Sequence, residues 1–402
     1  MSAFLFAVPP LTGHINPAVG VAARLAARGH RVAWACAAPA LVRRLAGPDA
    51  EVHGCAGPVP GADGVVRPPE LRGAEALKFL WERYLLPLAE AMAPGVGAAV
   101  REFRPDVVVA DQQAFAGALV AERCGLPWAT SATTSAEFSG AYDGLPKVAE
   151  WLHRSLAELR TRIGDQAKTA DPRFSPHLLL IFSTPELIGP QAPLARHIHY
   201  VGPSIGGRPA GPDFPWQRLD PGRSKVLVTL GTANADAGDR FLTECLTALR
   251  ERADRVQAVI ADPGGVLPVP PGDKDVLAFS SVPQLPLLER MDAVVCHGGH
   301  NTVCEALWHG VPLVVAPIRD DQPVIAGQVV DAGAGVRVRF GRVRADRLGA
   351  ALDTVLTDPA HRTSATRIRA AFRAAGGART AAAHLEHLAD RASRADFEAE
   401  SR

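Results

Sequence analysis

The chain has 402 residues, 47% hydrophobic and 21% charged, enough for more than one packed core and, at roughly 100–200 residues per domain, two or three domains. A formal net charge of +1 supplies no global field to draw in nucleic acid or an anionic membrane. No uninterrupted apolar stretch reaches the roughly 20 residues that cross a bilayer. The six cysteines sit singly without a C-x-x-C pair, and MSAFLFAVPP lacks the basic leader and cleavage site of a signal peptide. A cytoplasmic protein, monomer or homodimer, is expected.

In chain order, Ala3–Val8 is the first expected strand. It runs into PPLTGHINPAVGVAARLAARGH, where Pro17 suits a first helical position and Asn16 an N-cap. The helix is therefore expected over Pro17–Arg28, with His14 projecting from the loop at the strand end. Arg72–Met92 is an apolar helix carrying Phe79, Trp81 and Tyr84, and both core packing and the lining of a pocket are open to it. Strands follow at Arg31–Cys36, Asp106–Ala110, Pro127–Thr130 and Leu178–Phe182, with a helix over Ala114–Cys124. Asp111 stands between strand and helix, where helix capping is its plain role. Thr130–Tyr142, small and polar with Thr133 and Phe138, reads equally as a loop or as a ligand contact.

Gly202–Arg223 holds five prolines and five glycines and reads as a linker. The expected division is a first domain over 1–204, a linker over 205–222, a second domain over 223–375 and a terminal helix and tail over 376–402. Strands of the second half are expected at Lys225–Leu230, Arg255–Ala261, Val276–Phe279, Ala293–Cys296, Pro312–Ala316 and Gly335–Arg339. Continuous apolar strands spaced by helices mean parallel sheets covered on both faces. The fold class is α/β, with two doubly wound domains bringing the carboxyl ends of their strands to a shared cleft, where ligands bind.

The most informative segment is Asp292–Val336. Its strand leads into His297-Gly298-Gly299-His300-Asn301-Thr302 and then a helix. Glycines at such a turn let backbone N–H groups approach a ligand, and a helix N-terminus favours an anion. His297, Asn301 and Thr302 add side-chain donors to phosphate, Glu305 can accept from a ribose diol, and Asp321-Gln322 suits a sugar with several hydroxyls. Each has an ordinary alternative: His297 as a structural histidine, and Asp320, Asp321 and Gln322 as caps for the next helix. The specificity lies in the joint spacing.

That spacing resembles the donor signature of family 1 glycosyltransferases of the GT-B fold, His-x-Gly-x-Asn-Ser/Thr-x-x-Glu with Asp-Gln sixteen residues on. His297, Gly299, Asn301, Thr302, Glu305, Asp321 and Gln322 fall in step. Ser281-Val282-Pro283-Gln284 resembles the family's base-binding element without the tryptophan of plant members. Gly13-His14-x-Asn16-Pro17 resembles the start of the bacterial natural-product branch, the macrolide, polyketide and carotenoid type. The resemblance implies two Rossmann-like GT-B domains and a cytoplasmic hexosyltransferase of antibiotic or other natural-product biosynthesis. It implies pyrophosphate contacts at His297, Asn301 and Thr302, ribose at Glu305, sugar hydroxyls at Asp321 and Gln322, and the base near Val282. Gly13, Gly299 and the Gly231-Thr232 turn complete the donor side.

On the acceptor side the resemblance makes His14 the general base and Asp111 its orienting carboxylate, with Phe79, Trp81, Thr133 and Phe138 as candidate acceptor contacts. The implied reaction is inverting and metal-independent. It moves sugar from a UDP- or dTDP-sugar co-substrate to a hydroxyl of a small hydrophobic acceptor, without cofactor, metal site or nucleic acid. A non-catalytic helper of another glycosyltransferase and a sugar-nucleotide epimerase are the rival readings. His300 departs from the common pattern, and phosphate contact, stacking and space-filling are all open to it.

Overall fold

The computed structural model describes residues 1–58, 71, 73–138, 145–189, 195–209, 211–231 and 238–400, with the side chains of 73, 74 and 395–400 left aside. The strands are β1 (Ala3–Ala7), β2 (Arg31–Cys36), β3 (Val52–Gly54), β4 (Val107–Asp111), β5 (Trp128–Ala132), β6 (Leu178–Ile181), β7 (Ile198–Tyr200), β8 (Ser224–Thr229), β9 (Val256–Ala261), β10 (Val276–Phe279), β11 (Ala293–Cys296), β12 (Leu313–Val315) and β13 (Gly335–Arg337). They form two sheets, ordered β3-β2-β1-β4-β5-β6-β7 and β10-β9-β8-β11-β12-β13, parallel throughout.

Burial on both faces is why the central strands are largely apolar: β1, β4, β5 and β11 are buried at every position, with Asp111, Thr130 and Ser131 the polar exceptions. The first sheet carries a core on each face, one around Trp81, Leu88, Phe115 and Trp128, the other around Phe4, Phe6, Ile15 and Leu25. The second sheet is likewise covered twice. This is the GT-B arrangement of two doubly wound α/β units.

Strand order reverses in each sheet, between β1 and β4 in the first and between β8 and β11 in the second. Such switch points leave a crevice at the carboxyl ends of the strands. The segments after β1 and β11 carry His14 and His297, β4 ends in Asp111, and Gly231 follows β8. Topology alone thus gathers the residues singled out above.

Several details depart from the sequence reading. The helix expected over Arg72–Met92 is a helix over Gly73–Leu80, a π-helical segment over Trp81–Leu85 and a helix that runs on from Leu86 to Phe103. The first helix spans Thr12–Ala27, so His14 lies inside it and Pro17 in its interior; the N-cap position belongs to Leu11, which caps with no side chain. The strands β3 and β7, absent from the expectation, are the two edges of the first sheet. The chain closes on itself at its end. The Pro359–Ala375 helix packs on the second sheet through Ala365, Ile368 and Phe372. Gly376 and Gly377 then turn with φ of 87° and 57°, and the Ala378–Glu400 helix buries Ala381, Leu385 and Leu388 against the first sheet. Among the described residues no helix is long and apolar enough to cross a membrane.

Candidate active site

A cavity of about 1420 Å³ lies between the sheets, bordered by the first helix and the glycine turn after β11. On one wall His14 Nδ1 sits 2.9 Å from Asp111 Oδ1 and 3.1 Å from Oδ2. Thr133 Oγ1 donates to Asp111 Oδ2 at 2.8 Å and lies 2.8 Å from the same His14 nitrogen. Asp111 Oδ1 also accepts from the Gln113 backbone N–H at 2.8 Å, so the carboxylate tethers the following turn as well as the imidazole. Burial pulls the His14 pKa down, but the Asp111 carboxylate outweighs it and holds the imidazole above its ordinary 6.5. With Nδ1 donating to Asp111, Nε2 is the nitrogen left to accept a proton.

The opposite wall is the β11 turn. His297 is buried between two glycines: a β-carbon at Gly231 would stand 2.7 Å from its Cε1, and one at Gly299 2.3 Å from its Nε2. Burial, helped by the Arg319 charge, depresses its pKa to about 4. It is therefore neutral at pH 7, a hydrogen-bonding group without charge, and its Nδ1 is buried with no hydrogen-bond partner. The helix His300–Trp308 begins at this turn, after Gly299 in extended conformation, and aims its free N–H groups at the cavity end that Asn301 and Thr302 also border.

Several of the expected donor residues meet a protein partner, Asn301 and Asp321 across the cleft. Asn301 Nδ2 donates to the Gly13 carbonyl at 2.7 Å. Pro17, lacking an N–H, cannot take that carbonyl as helix partner. Thr134 Oγ1 donates to Asp321 Oδ2 at 2.6 Å, and burial raises the Asp321 pKa against that bond. Asp321 thus makes no side-chain cap to its helix. Gln322 Oε1 accepts from the backbone N–H groups of Ile318 and Arg319 at 2.8 and 3.0 Å, fixing the loop after β12. Glu305, 3% exposed, accepts from Arg208 Nη1 and, at 2.6 Å, from Gln284 Nε2. Val282 borders the cavity, as do Gly13, Gly299, Asn301 and Thr302. Thr232 lies outside the described residues.

The acceptor candidates divide. Trp81 lines the cavity, packed 5.2 Å from Phe115 between ring centroids. Thr133 also lines it, but its hydroxyl is engaged with His14 and Asp111. Phe79 and Phe138 are not in the lining. Phe79 is two helical residues from Leu77 and so faces away from the Leu77–Leu80–Trp81 side, while Phe138 stacks edge-on to Phe174. Residues 139–142 of the polar segment lie outside the described residues. His300 fills an inter-sheet position: its Nδ1 is 3.3 Å from Ser135 Oγ and its Nε2 3.3 Å from the Phe182 carbonyl.

Sequence reasoning missed Arg208 and Glu137, and read Gln284 only as part of the base-binding element, without its bond to Glu305. Glu137 is a cavity carboxylate whose pKa burial raises against the attraction of Arg173, its partner at 3.3 Å. Arg208 and Glu137 stand in no motif, and the partner that Arg208 and Gln284 share, Glu305, lies 97 and 21 positions away from them. An Asp-x-Asp spacing, the pattern tied to metal-dependent sugar transfer, does occur at Asp273-Lys274-Asp275. Those carboxylates bind Arg250 and Arg223, and neither borders the cavity.

Comparisons with known proteins place the chain beside natural-product sugar transferases. Residues 265–388 match the family described as erythromycin biosynthesis protein CIII-like, C-terminal domain. The chain is 32% identical to 4'-demethylrebeccamycin synthase of Lentzea aerocolonigenes, over 91% of this chain and 94% of the relative. It is 31% identical to demethyllactenocin mycarosyltransferase of Streptomyces fradiae, over 96% and 87% respectively. Among solved structures it is similar to the glycotransferase of kitacinnamycin, with a TM-score of 0.74 and 26% identity over 96% of this chain and 98% of that one.

Proposed function

Because the chain belongs to the GT-B natural-product glycosyltransferases, and is thus a glycosyltransferase, we propose that it moves a sugar from a UDP- or dTDP-sugar to a hydroxyl of a small, largely apolar acceptor, with inversion and with His14 as general base. The observation that carries this reading is the His14–Asp111–Thr133 cluster, which faces the glycine turn of His297 across one cavity. Leu11, Leu77, Trp81, Phe115 and Val148 give the first-sheet wall an apolar surface, and the similarity to a demethyllactenocin mycarosyltransferase supports a small-molecule acceptor.

The acceptor hydroxyl binds His14 Nε2, which takes its proton as the oxygen attacks the anomeric carbon from the side opposite the nucleotide. Asp111 stabilises the imidazolium that forms, and Thr133 keeps the carboxylate in place. The diphosphate leaves toward the N-terminus of the His300–Trp308 helix, where fixed N–H groups meet the developing charge. Asp321 and Gln322 take sugar hydroxyls, and Glu305 the ribose.

The test is a panel of nucleotide sugars with wild type, His14→Ala, His297→Ala and Asp111→Asn. Loss of His14 should lower kcat by roughly 10²–10⁴ while nucleotide still binds, and loss of His297 should weaken nucleotide binding. His14 must be neutral to act, so activity falls as pH drops through its raised pKa. Asp111→Asn removes the largest of the contributions that raise it, leaving those of Asp321 and Glu137, and the acid limb of kcat/KM should move to lower pH as kcat falls. Absence of nucleotide-sugar binding, or an unaltered affinity in His297→Ala, would refute the donor assignment.

A further inference from the structure

Glu305 is the residue assigned to the ribose, yet both its carboxylate oxygens are engaged. Gln284 Nε2 holds Oε2 at 2.6 Å and Arg208 Nη1 holds Oε1. Arg208 comes from the segment joining the two sheets, and its placement is built in. Gly206 and Gly207 run against the first helix at Gly20, where a β-carbon would lie 2.9 Å from the Gly206 carbonyl, and one at Gly207 would lie 3.2 Å from Gly20 Cα. The guanidinium is largely covered, at 15% side-chain exposure, and Arg208 borders the cavity beside Glu305 and Asn301.

We propose that Arg208 is a specificity-determining residue for the donor nucleotide: by holding Glu305 it makes the site nearly indifferent to the ribose 2′-hydroxyl, so that 2′-deoxyribonucleoside and ribonucleoside diphosphate sugars are both accepted. This rests on the ribose assignment of Glu305. Each Glu305 oxygen keeps a second lone pair, but a hydroxyl that reaches for Oε1 shares it with a paired guanidinium that already neutralises the carboxylate, so the added bond yields little net affinity. With Arg208 removed, the carboxylate is open to the sugar, and a bond from hydroxyl to a charged acceptor is worth about tenfold in Kd or more.

The probes are UDP and 2′-deoxy-UDP, which differ in that hydroxyl alone, titrated calorimetrically into the full-length protein. Wild type should bind the two within about twofold. Arg208→Ala should bind UDP about tenfold more tightly than 2′-deoxy-UDP, and Arg208→Lys, which keeps the ion pair, should retain the wild-type ratio. Adding Glu305→Gln to Arg208→Ala should shrink the new preference. A wild-type preference of about tenfold for UDP overturns the proposal even if Arg208→Ala does not fold. So does a folded Arg208→Ala with the wild-type ratio, the result of a purely structural ion pair. If neither nucleotide binds wild type, the donor-site reading falls and takes this one with it. If both bind and both weaken in His297→Ala, that reading stands and the ratio alone decides.

Discussion

A β-carbon at position 299 would lie 2.3 Å from His297 Nε2, although the Gly299 backbone, at φ −63° and ψ 134°, is open to any residue. The requirement for glycine there is contact with the imidazole. At Gly231, with φ 70° and a β-carbon 2.7 Å from the same ring, conformation and contact both forbid a side chain. Gly299→Ala therefore tests the ring's placement with little backbone strain. The ring or the start of the following helix must shift by a substantial fraction of an ångström, and positioning errors of that size cost on the order of 10²-fold in chemistry. We expect nucleotide affinity to fall by about tenfold or more in calorimetric titration, with the fold intact by circular dichroism. An affinity within twofold of wild type would show that the clamp is not needed.

The central strands could be read from the sequence because their short runs are largely apolar on both faces, as a parallel sheet buried twice requires. The edges could not. Strands β3 and β7 are three residues each, carry His53 and His199, and are only partly buried, so neither apolar continuity nor alternation marks them. The donor turn was legible because its side chains come from one local unit with fixed spacing. The partners of Glu305 and Asp321 were not: Arg208 is 97 positions from Glu305 and Thr134 is 187 from Asp321. The first helix was misplaced for a nearer reason. Proline at a first helical position needs no compensation, whereas Pro17 sits in the interior, and the Gly13 carbonyl it leaves free is taken by Asn301 from the other sheet's helix. Pro17→Ala restores a helical donor to that carbonyl, so Asn301 should matter less in its presence. In a double-mutant cycle of Pro17→Ala with Asn301→Ala, urea unfolding should give a coupling of about 1 kcal/mol. Additivity within about 0.3 kcal/mol would mean that the two groups do not share the carbonyl.

Across the whole molecule, the two sheets are joined by the returning terminal helix and by polar contacts in the cleft, and His300 lies among the latter. Ser135 donates to Gln328 at 2.7 Å and faces His300 Nδ1, and burial depresses the His300 pKa to about 4, as it does that of His297. Unfolded, each would titrate near 6.5, so between pH 6.5 and 4 the unfolded chain binds protons that the folded one refuses. Stability then falls with falling pH, by roughly 2 kcal/mol for each such histidine between pH 7.5 and 5. His14 acts in the opposite sense. Its folded pKa lies above 6.5, so its contribution is fully present below that value and is lost as pH rises through the folded pKa. Burial lowers the pKa of His177, His199, His309 and His384 as well, so among the imidazoles six lowered against one raised leave a net acid sensitivity. The site accepts that sensitivity because a neutral His300 can sit between Ser135 and the Phe182 carbonyl, where an imidazolium would carry an uncompensated charge into the contact between the sheets. His300→Asn keeps hydrogen-bonding capacity at the position and removes the titration. Its urea unfolding free energy should therefore drop less than that of wild type between pH 7.5 and 5, by roughly 2 kcal/mol. Equal losses in the two proteins would mean that the inter-sheet contact opens before His300 is protonated.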